Sequence, residues 1–165
     1  MPIDFFKVQC QSNTTAREFG ICDDDNELPA YIDYANKNVW IARVVNDDSK
    51  EIVFTAIDKC IDFPLIGGNM QSRCDVMLSC DNNLYLIELK NKISGWQSTG
   101  IEQLESTIIN LIKNIEPIYL NYRFRKAYVA NRRHPNFHVV ENAIAEKFRD
   151  KYKVRLDLQA TIKIL

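Results

Sequence analysis

Two carboxylates and a lysine sit close together within apolar runs of this chain. Asp75 opens the run Asp75-Val76-Met77-Leu78. Leu84-Tyr85-Leu86-Ile87-Glu88-Leu89-Lys90 follows after Cys80-Asp81-Asn82-Asn83. Side chains two apart on a strand share a face, so Glu88 and Lys90 point one way and Ile87 and Leu89 the other. The turn-forming residues between the runs fold Asp75 back beside Glu88 as part of a hairpin. Two carboxylates held that close repel each other unless a cation lies between them. Mg²⁺ suits such a pair, because it accepts one or two carboxylates together with waters and phosphate oxygens. A cation held there polarises a phosphate and lowers the pKa of water. Lys90, a compact point charge, would orient that water or stabilise charge developing on the phosphate. The chemistry expected of the three residues is phosphodiester hydrolysis.

The elements around them follow from pattern. A strand from Ile3 to Val8 and a short capped helix from Ser12 to Phe19 are expected, followed by a solvent-facing turn at Asp23-Asp24-Asp25-Asn26. Val39 to Val45 and Glu51 to Ile57 are β-rich, and the turn residues Asn46 to Lys50 between them predict a hairpin. The second hairpin joins Arg73 to Ser79 with Leu84 to Asn91. Its second strand is apolar as far as Glu88, the mark of a central strand covered on both faces. Thr99 and Glu102 form a capping box. Ile101, Leu104, Ile108, Leu111, Ile112 and Ile115 then recur at helical spacing until Pro117, where the helix is expected to stop. Lys126 to Ala130 reads as a buried strand and Val139 to Tyr152 as an amphipathic helix. Val154, Leu156, Leu158, Ala160, Ile162 and Ile164 alternate with polar residues, which predicts one long strand with a single buried face. The class is α/β, a single-domain mixed β-sheet flanked by helices.

Asp75, Glu88-Leu89-Lys90 and the strand-strand-helix-strand run around them resemble the PD-(D/E)xK nuclease superfamily, which includes restriction endonucleases and RecB-like exonucleases. The resemblance implies a restriction-endonuclease-like core over 37–133, after an N-terminal elaboration over 1–36 and an extra N-terminal hairpin. A C-terminal helix and strand over 134–165 would complete the single domain 1–165. It implies Asp75 and Glu88 as metal ligands with the main-chain carbonyl of Leu89, Lys90 as the catalytic lysine, and Mg²⁺ or Mn²⁺ as cofactor. Gln103, on the helix after the lysine, resembles the glutamine that helps hold the site in the RecB-like branch. Cys74 stands where the motif has proline, and Glu18 is the candidate for the glutamate often carried on the first core helix. Arg132 and Arg133 form a candidate phosphate clamp. Trp96 is a candidate base-stacking residue, or else a packing staple beside the helix start.

The bulk composition fits a nuclease without requiring one. The 165 residues, 46% hydrophobic and 26% charged, suit one globular domain. No run approaches the ~18 apolar residues of a membrane span, and the start Met1-Pro2-Ile3-Asp4 lacks the basic-then-apolar pattern of a secretory leader. A cytoplasmic protein without membrane attachment is expected. The five cysteines lack a Cys-x-x-Cys pair, which argues against zinc and for buried free thiols in a reducing compartment. Net charge is −1, yet the segment 113–165 carries 12 Lys/Arg against 5 Asp/Glu while 1–60 carries 6 against 11. The basic third suits DNA. The acidic third suits the alternative, a catalytically inactive domain of the same fold acting as a protein- or nucleic-acid-binding module. A domain of this size has little room for separate sequence reading, so specificity would call for a homodimer or partner subunit.

Overall fold

The runs rich in Val, Ile, Leu and Tyr become strands, and the computed structural model, which describes residues 2–165, arranges them in two sheets. In chain order the strands are β1 (Gln11–Thr14), β2 (Glu18–Cys22), β3 (Tyr31–Asp33), β4 (Ala42–Val45), β5 (Ile52–Ala56), β6 (Val76–Cys80), β7 (Asn83–Lys90), β8 (Phe124–Asn131), β9 (Arg155–Leu158) and β10 (Thr161–Lys163). The helices are α1 (Trp96–Asn121) and α2 (Asn142–Tyr152). One sheet has the order β1-β5-β6-β7-β8-β9 and the other β10-β4-β2-β3. In the first, β1 to β7 pair antiparallel, while β7, β8 and β9 run parallel.

Strand alternation sorts the side chains into two cores. Leu84 and Leu86 of β7 face α1 and α2, packing with Leu104, Ile108, Leu111 and Phe148. Tyr85, Ile87 and Leu89 face the second sheet, packing with Phe19, Ile21, Val44 and Ile162. The layers are therefore helices, large sheet, small sheet. The central strand β7 is covered on both sides, as its near-continuous apolar run predicts. Gly100 lets α1 lie close on β8, since a Cβ there would sit 2.6 Å from Val129 Cγ1. No described helix is long and apolar enough to cross a membrane.

Several expectations need correction. Ser12 to Phe19 is not a helix: its two ends enter β1 and β2, in different sheets, and Ile3 to Val8 forms no strand. β4 and β5 do not pair as a hairpin. Their link crosses from the small sheet to the large one, held by buried Asn46, which donates to Ala16 O (3.1 Å) and Lys50 O (2.8 Å). The C-terminal alternation is not one strand. Val154, Leu156 and Leu158 feed the helix-side core, whereas Ala160, Ile162 and Ile164 feed the core between the sheets. The period of two continues unbroken while the chain changes sheet. α1 starts at Gly95 (φ 71°) rather than at a capping box, and Thr99 Oγ1 donates back to Gly95 O at 3.0 Å. The first helical run breaks at Ile115 (φ −138°, ψ 38°), two residues before Pro117 and close to the stop expected there, and a second short run continues across the kink to Asn121. The turn beyond is anchored by Tyr119, fully buried, whose hydroxyl donates to Tyr152 O at 2.6 Å. Of the five thiols, Cys10 and Cys60 form a disulfide, and Cys22, Cys74 and Cys80 are free and buried.

Candidate active site

The hairpin β6–β7 brings the acids together as the spacing predicts. Val76 pairs with Ile87, which sets Asp75, one residue before β6, opposite Glu88. Both are buried, at 6% and 2% exposure. Asp75 Oδ2 accepts the Leu89 N–H at 2.7 Å, and Ile57 N–H donates to Asp75 O at 2.8 Å. The preceding amide, that of Cys74, is fixed by Thr107 Oγ1 of α1 at 2.7 Å. Side chain and main chain of Asp75 are thus held from three elements.

Lys90 Nζ lies 3.2 Å from Glu88 Oε1 and also donates to Gln103 Oε1. Gln103 Nε2 donates in turn to Arg73 O at 3.3 Å. The glutamine therefore ties the lysine end of β7 to the chain entering β6. The other oxygen, Glu88 Oε2, is buried with no hydrogen-bond partner among the described residues. The Asp75 carboxylate beside it is an acceptor as well, so two ionised acids cannot satisfy each other. A shared proton or a cation can. Burial, and secondarily the charge of Asp75, holds the Glu88 pKa well above the ordinary carboxylate range. Burial likewise raises Asp75 to about 6, against the lowering effect of the Leu89 amide.

The implied backbone ligand fits the same geometry. The Lys90 carbonyl accepts the Arg132 N–H and so points toward β8. Neighbouring residues on a strand aim their main-chain groups to opposite edges, so the Leu89 amide and carbonyl both turn toward Asp75. The unsatisfied Glu88 oxygen, the adjacent acid and that carbonyl are the donor set a hard cation takes. Among the described residues no cluster of three or more His, Cys, Asp or Glu side chains is arranged to hold a metal ion. Any cation here would be held by two carboxylates and a carbonyl, completed by water.

The cavity over the acids is about 300 Å³. Besides the expected residues it is lined by Asp23, Asp25, Asp58, Lys59 and Lys92. Five carboxylates therefore face three lysines. Sequence reasoning placed the acidic trio in a solvent turn, and the only signal of its location was its charge. Asp58 is fixed by Arg73 Nε at 3.0 Å, and Lys59 Nζ donates to Asn26 O at 2.6 Å, drawing the acidic loop to the cavity rim. Asn131 was also missed. Fully buried at the end of β8, it donates to Lys92 O (2.7 Å) and accepts from Lys92 N (3.1 Å) and Arg133 N (3.2 Å). One side chain pins the two loops that leave β7 and β8.

Four further expected residues do not meet the acids. Glu18 sits on β2, where Arg43 (2.7 Å) and Lys37 (2.8 Å) hold it and lower its pKa to about 2, Arg43 contributing most. It does not join the acids, because the helix expected to carry it is a strand of the small sheet. Trp96 is 4% exposed, stacked on His134 (6.1 Å, 8°) and met edge-on by His138 (5.3 Å), which makes it a packing residue rather than a platform for a base. Arg132 donates to Asn38 O and Arg133 Nε to Asn91 Oδ1 (3.2 Å), both exposed beside the Lys90 end of β7. No protein-family model, curated protein or solved structure matches the chain.

Proposed function

We propose that the chain is a Mg²⁺- or Mn²⁺-dependent nuclease of the PD-(D/E)xK type that hydrolyses phosphodiester bonds in DNA. The observation that carries this reading is the buried Asp75–Glu88 pair with one oxygen unsatisfied, beside a lysine held by Gln103. Burying two acids and a lysine together costs stability, and a fold without chemistry gains nothing from it. The strand order supports the reading too. An antiparallel run β5-β6-β7, a helix, and β8 parallel to β7 is the strand arrangement the resemblance calls for.

Asp75, Glu88 and the Leu89 carbonyl would hold the cation. When bound, a cation there supplies charge neutralisation for a phosphate and a more acidic water. The chain's own part is positional. Asp75, fixed by the Leu89 amide, and Glu88, fixed by Lys90, present preorganised oxygens. Lys90 sets a positive charge at the cavity wall, where the attacking water must lose its proton and the phosphate gains negative charge. Gln103 fixes the lysine rotamer. Lys92 lines the cavity, and Arg132 and Arg133, on the loop that leaves β8, would offer positive charge to the flanking phosphates.

Purified protein should convert supercoiled plasmid to nicked or linear forms when Mn²⁺ or Mg²⁺ is added. Lys90→Ala should abolish this while circular dichroism stays unchanged. Cleavage that survives both Lys90→Ala and Asp75→Ala would defeat the proposal. The acidic wall of Asp23, Asp25 and Asp58 favours a second reading, a domain of this fold that binds without cutting. That reading is the outcome if the divalent ion raises the melting temperature and no nucleic acid is cleaved.

A further inference from the structure

A second cavity, of about 620 Å³, lies between α2 and the edge strand β9. It stands at the opposite end of the sheet from Lys90. β8 runs its eight residues from the groove at Phe124 to Asn131 beside the acids, roughly 23 Å at about 3.3 Å per residue. The two sites can therefore be filled independently.

The lining has two zones. Its floor is apolar, built from Phe124, Val140, Ala145, Val154 and Leu156. Its rim carries Arg123, Arg149, Lys153 and Arg155. The one acid in the lining, Asp157, is already neutralised by Lys126 at 2.8 Å and Arg155 at 3.4 Å. Of the rim cations, Arg149 is paired with Asp150 at 3.1 Å and Arg155 with Asp157, so Arg123 and Lys153 are the two that meet no carboxylate among the described residues.

Backbone geometry narrows the occupant. β9 is the last strand of the large sheet, with β8 as its only ladder partner. The Leu158 carbonyl accepts the His138 N–H at 2.9 Å, so Leu158 turns its main-chain groups to the outer edge. Leu156, two residues earlier, turns its amide and carbonyl to the same edge. Outside the β8 ladder Leu156 makes no backbone hydrogen bond among the described residues. Between the Val154 amide, which donates to Phe148 O at 3.1 Å, and Leu158, bridged by His138, the edge is open at Leu156 alone, a short template for another extended chain.

From these three features we infer that the groove binds an extended acidic peptide segment of a partner protein, which adds a strand beside β9. Its apolar side chains alternate into the floor, and its Asp and Glu side chains meet the rim cations, Arg123 and Lys153 first. A nucleic-acid strand fits less well. It has no main-chain amides to pair with Leu156. The inference does not depend on the acid pair being catalytic.

The test uses a fluorescein-labelled peptide of alternating glutamate and valine, titrated with the full chain by fluorescence anisotropy. Binding with a dissociation constant on the order of 0.1 mM or tighter is expected. The doubly reversed variant Arg123→Glu/Lys153→Glu alters only exposed side chains that join no ion pair among the described residues, and should weaken it at least about tenfold. Amide exchange at Leu156 should slow in the bound state. An alternating lysine–valine peptide and a single-stranded oligonucleotide serve as competitors and should not displace the probe. The inference is overturned by no binding of the acidic peptide, by equal binding to the reversed variant, by unchanged exchange at Leu156, or by displacement with the oligonucleotide. Self-association that the same substitutions abolish would make the occupant a second copy of the chain, and would overturn it as well.

Discussion

Replacing Asp75 with asparagine should make the cation-free protein more stable at alkaline pH. The ordinary aspartate value is 3.8, and burial raises Asp75 to about 6 in the fold. A group whose pKa rises on folding favours the folded state while it stays protonated. Its contribution is complete below about 3.8 and is lost as pH climbs through about 6. The shift of about two pKa units corresponds to about 3 kcal/mol, the cost of keeping this carboxylate ionised and buried near pH 8. Asparagine removes that cost. It keeps the main geometry, since its carbonyl oxygen can accept the Leu89 N–H as Asp75 Oδ2 does, while its amide gives Glu88 the donor it lacks. In EDTA near pH 8, Asp75→Asn should therefore melt about 5–10 °C higher than the parent. The gain should shrink through pH 6 and vanish near pH 4. Thermal unfolding followed by circular dichroism across that range measures it. A variant less stable than its parent at pH 8, or offset equally at every pH, would refute the reading of Asp75 as an acid whose ionisation burial opposes.

Adding Mg²⁺ or Mn²⁺ at about 100 times its dissociation constant should stabilise the parent by about 2.7 kcal/mol and leave the melting temperature of Asp75→Asn almost unmoved. Gly100→Ala should destabilise by about 1–2 kcal/mol in urea. The added Cβ meets Val129 at 2.6 Å, and this overpacking outweighs the better helix propensity of alanine. Cleavage should fall with it, because α1 carries Gln103. Asn131→Ala should cost about 2–3 kcal/mol by removing three hydrogen bonds at a buried position, and amide exchange should quicken at Lys92 and Arg133. A labelled oligonucleotide should bind more tightly with Mg²⁺ than in EDTA, as seen by anisotropy, because the cation offsets the five carboxylates of the cavity.

What the sequence disclosed was local, and what it hid was which layer each strand joins. The β6–β7 hairpin was legible because Asp81-Asn82 closes a short turn between apolar runs and the register follows from it. That register brings Asp75 to Glu88. Gln103 was singled out only through the resemblance, and α1 carries it toward Lys90 on the face it shares with Thr107. The β4–β5 link carries equally good turn residues, yet Asn46 uses its side chain to hold a crossover between sheets. Local turn chemistry does not say whether the flanking strands pair. The alternation from Val154 to Ile164 fails as a guide for a related reason: both cores accept apolar residues at a period of two, so a change of sheet at Ala160 leaves no mark. Asp23, Asp25 and Asn131 were illegible because their roles arise from residues remote in sequence: Asp23 meets Lys59, Asn131 meets Lys92, and the fold alone brings Asp25 to the cavity acids.

The charge asymmetry of the chain also takes on a different meaning in three dimensions. The basic last third suggested a single phosphate-binding face, but its cations are divided among three tasks. Arg125 donates to the carbonyls of Tyr119, Tyr122 and Lys153, closing the end of α1, and Lys126 neutralises Asp157. Arg123, Arg149, Lys153 and Arg155 line the groove at the far end of the sheet. Only Arg132 and Arg133 from that third stand near the Lys90 end of β7, joined by Lys92. The acidic first third sends Asp23, Asp25 and Asp58 to the cavity that holds Asp75 and Glu88. On the nuclease reading, repulsion from these acids would keep a polyanion away until divalent charge is present. The order of events would then be set by electrostatics: cation first, nucleic acid second, with Lys90 already in place through Gln103.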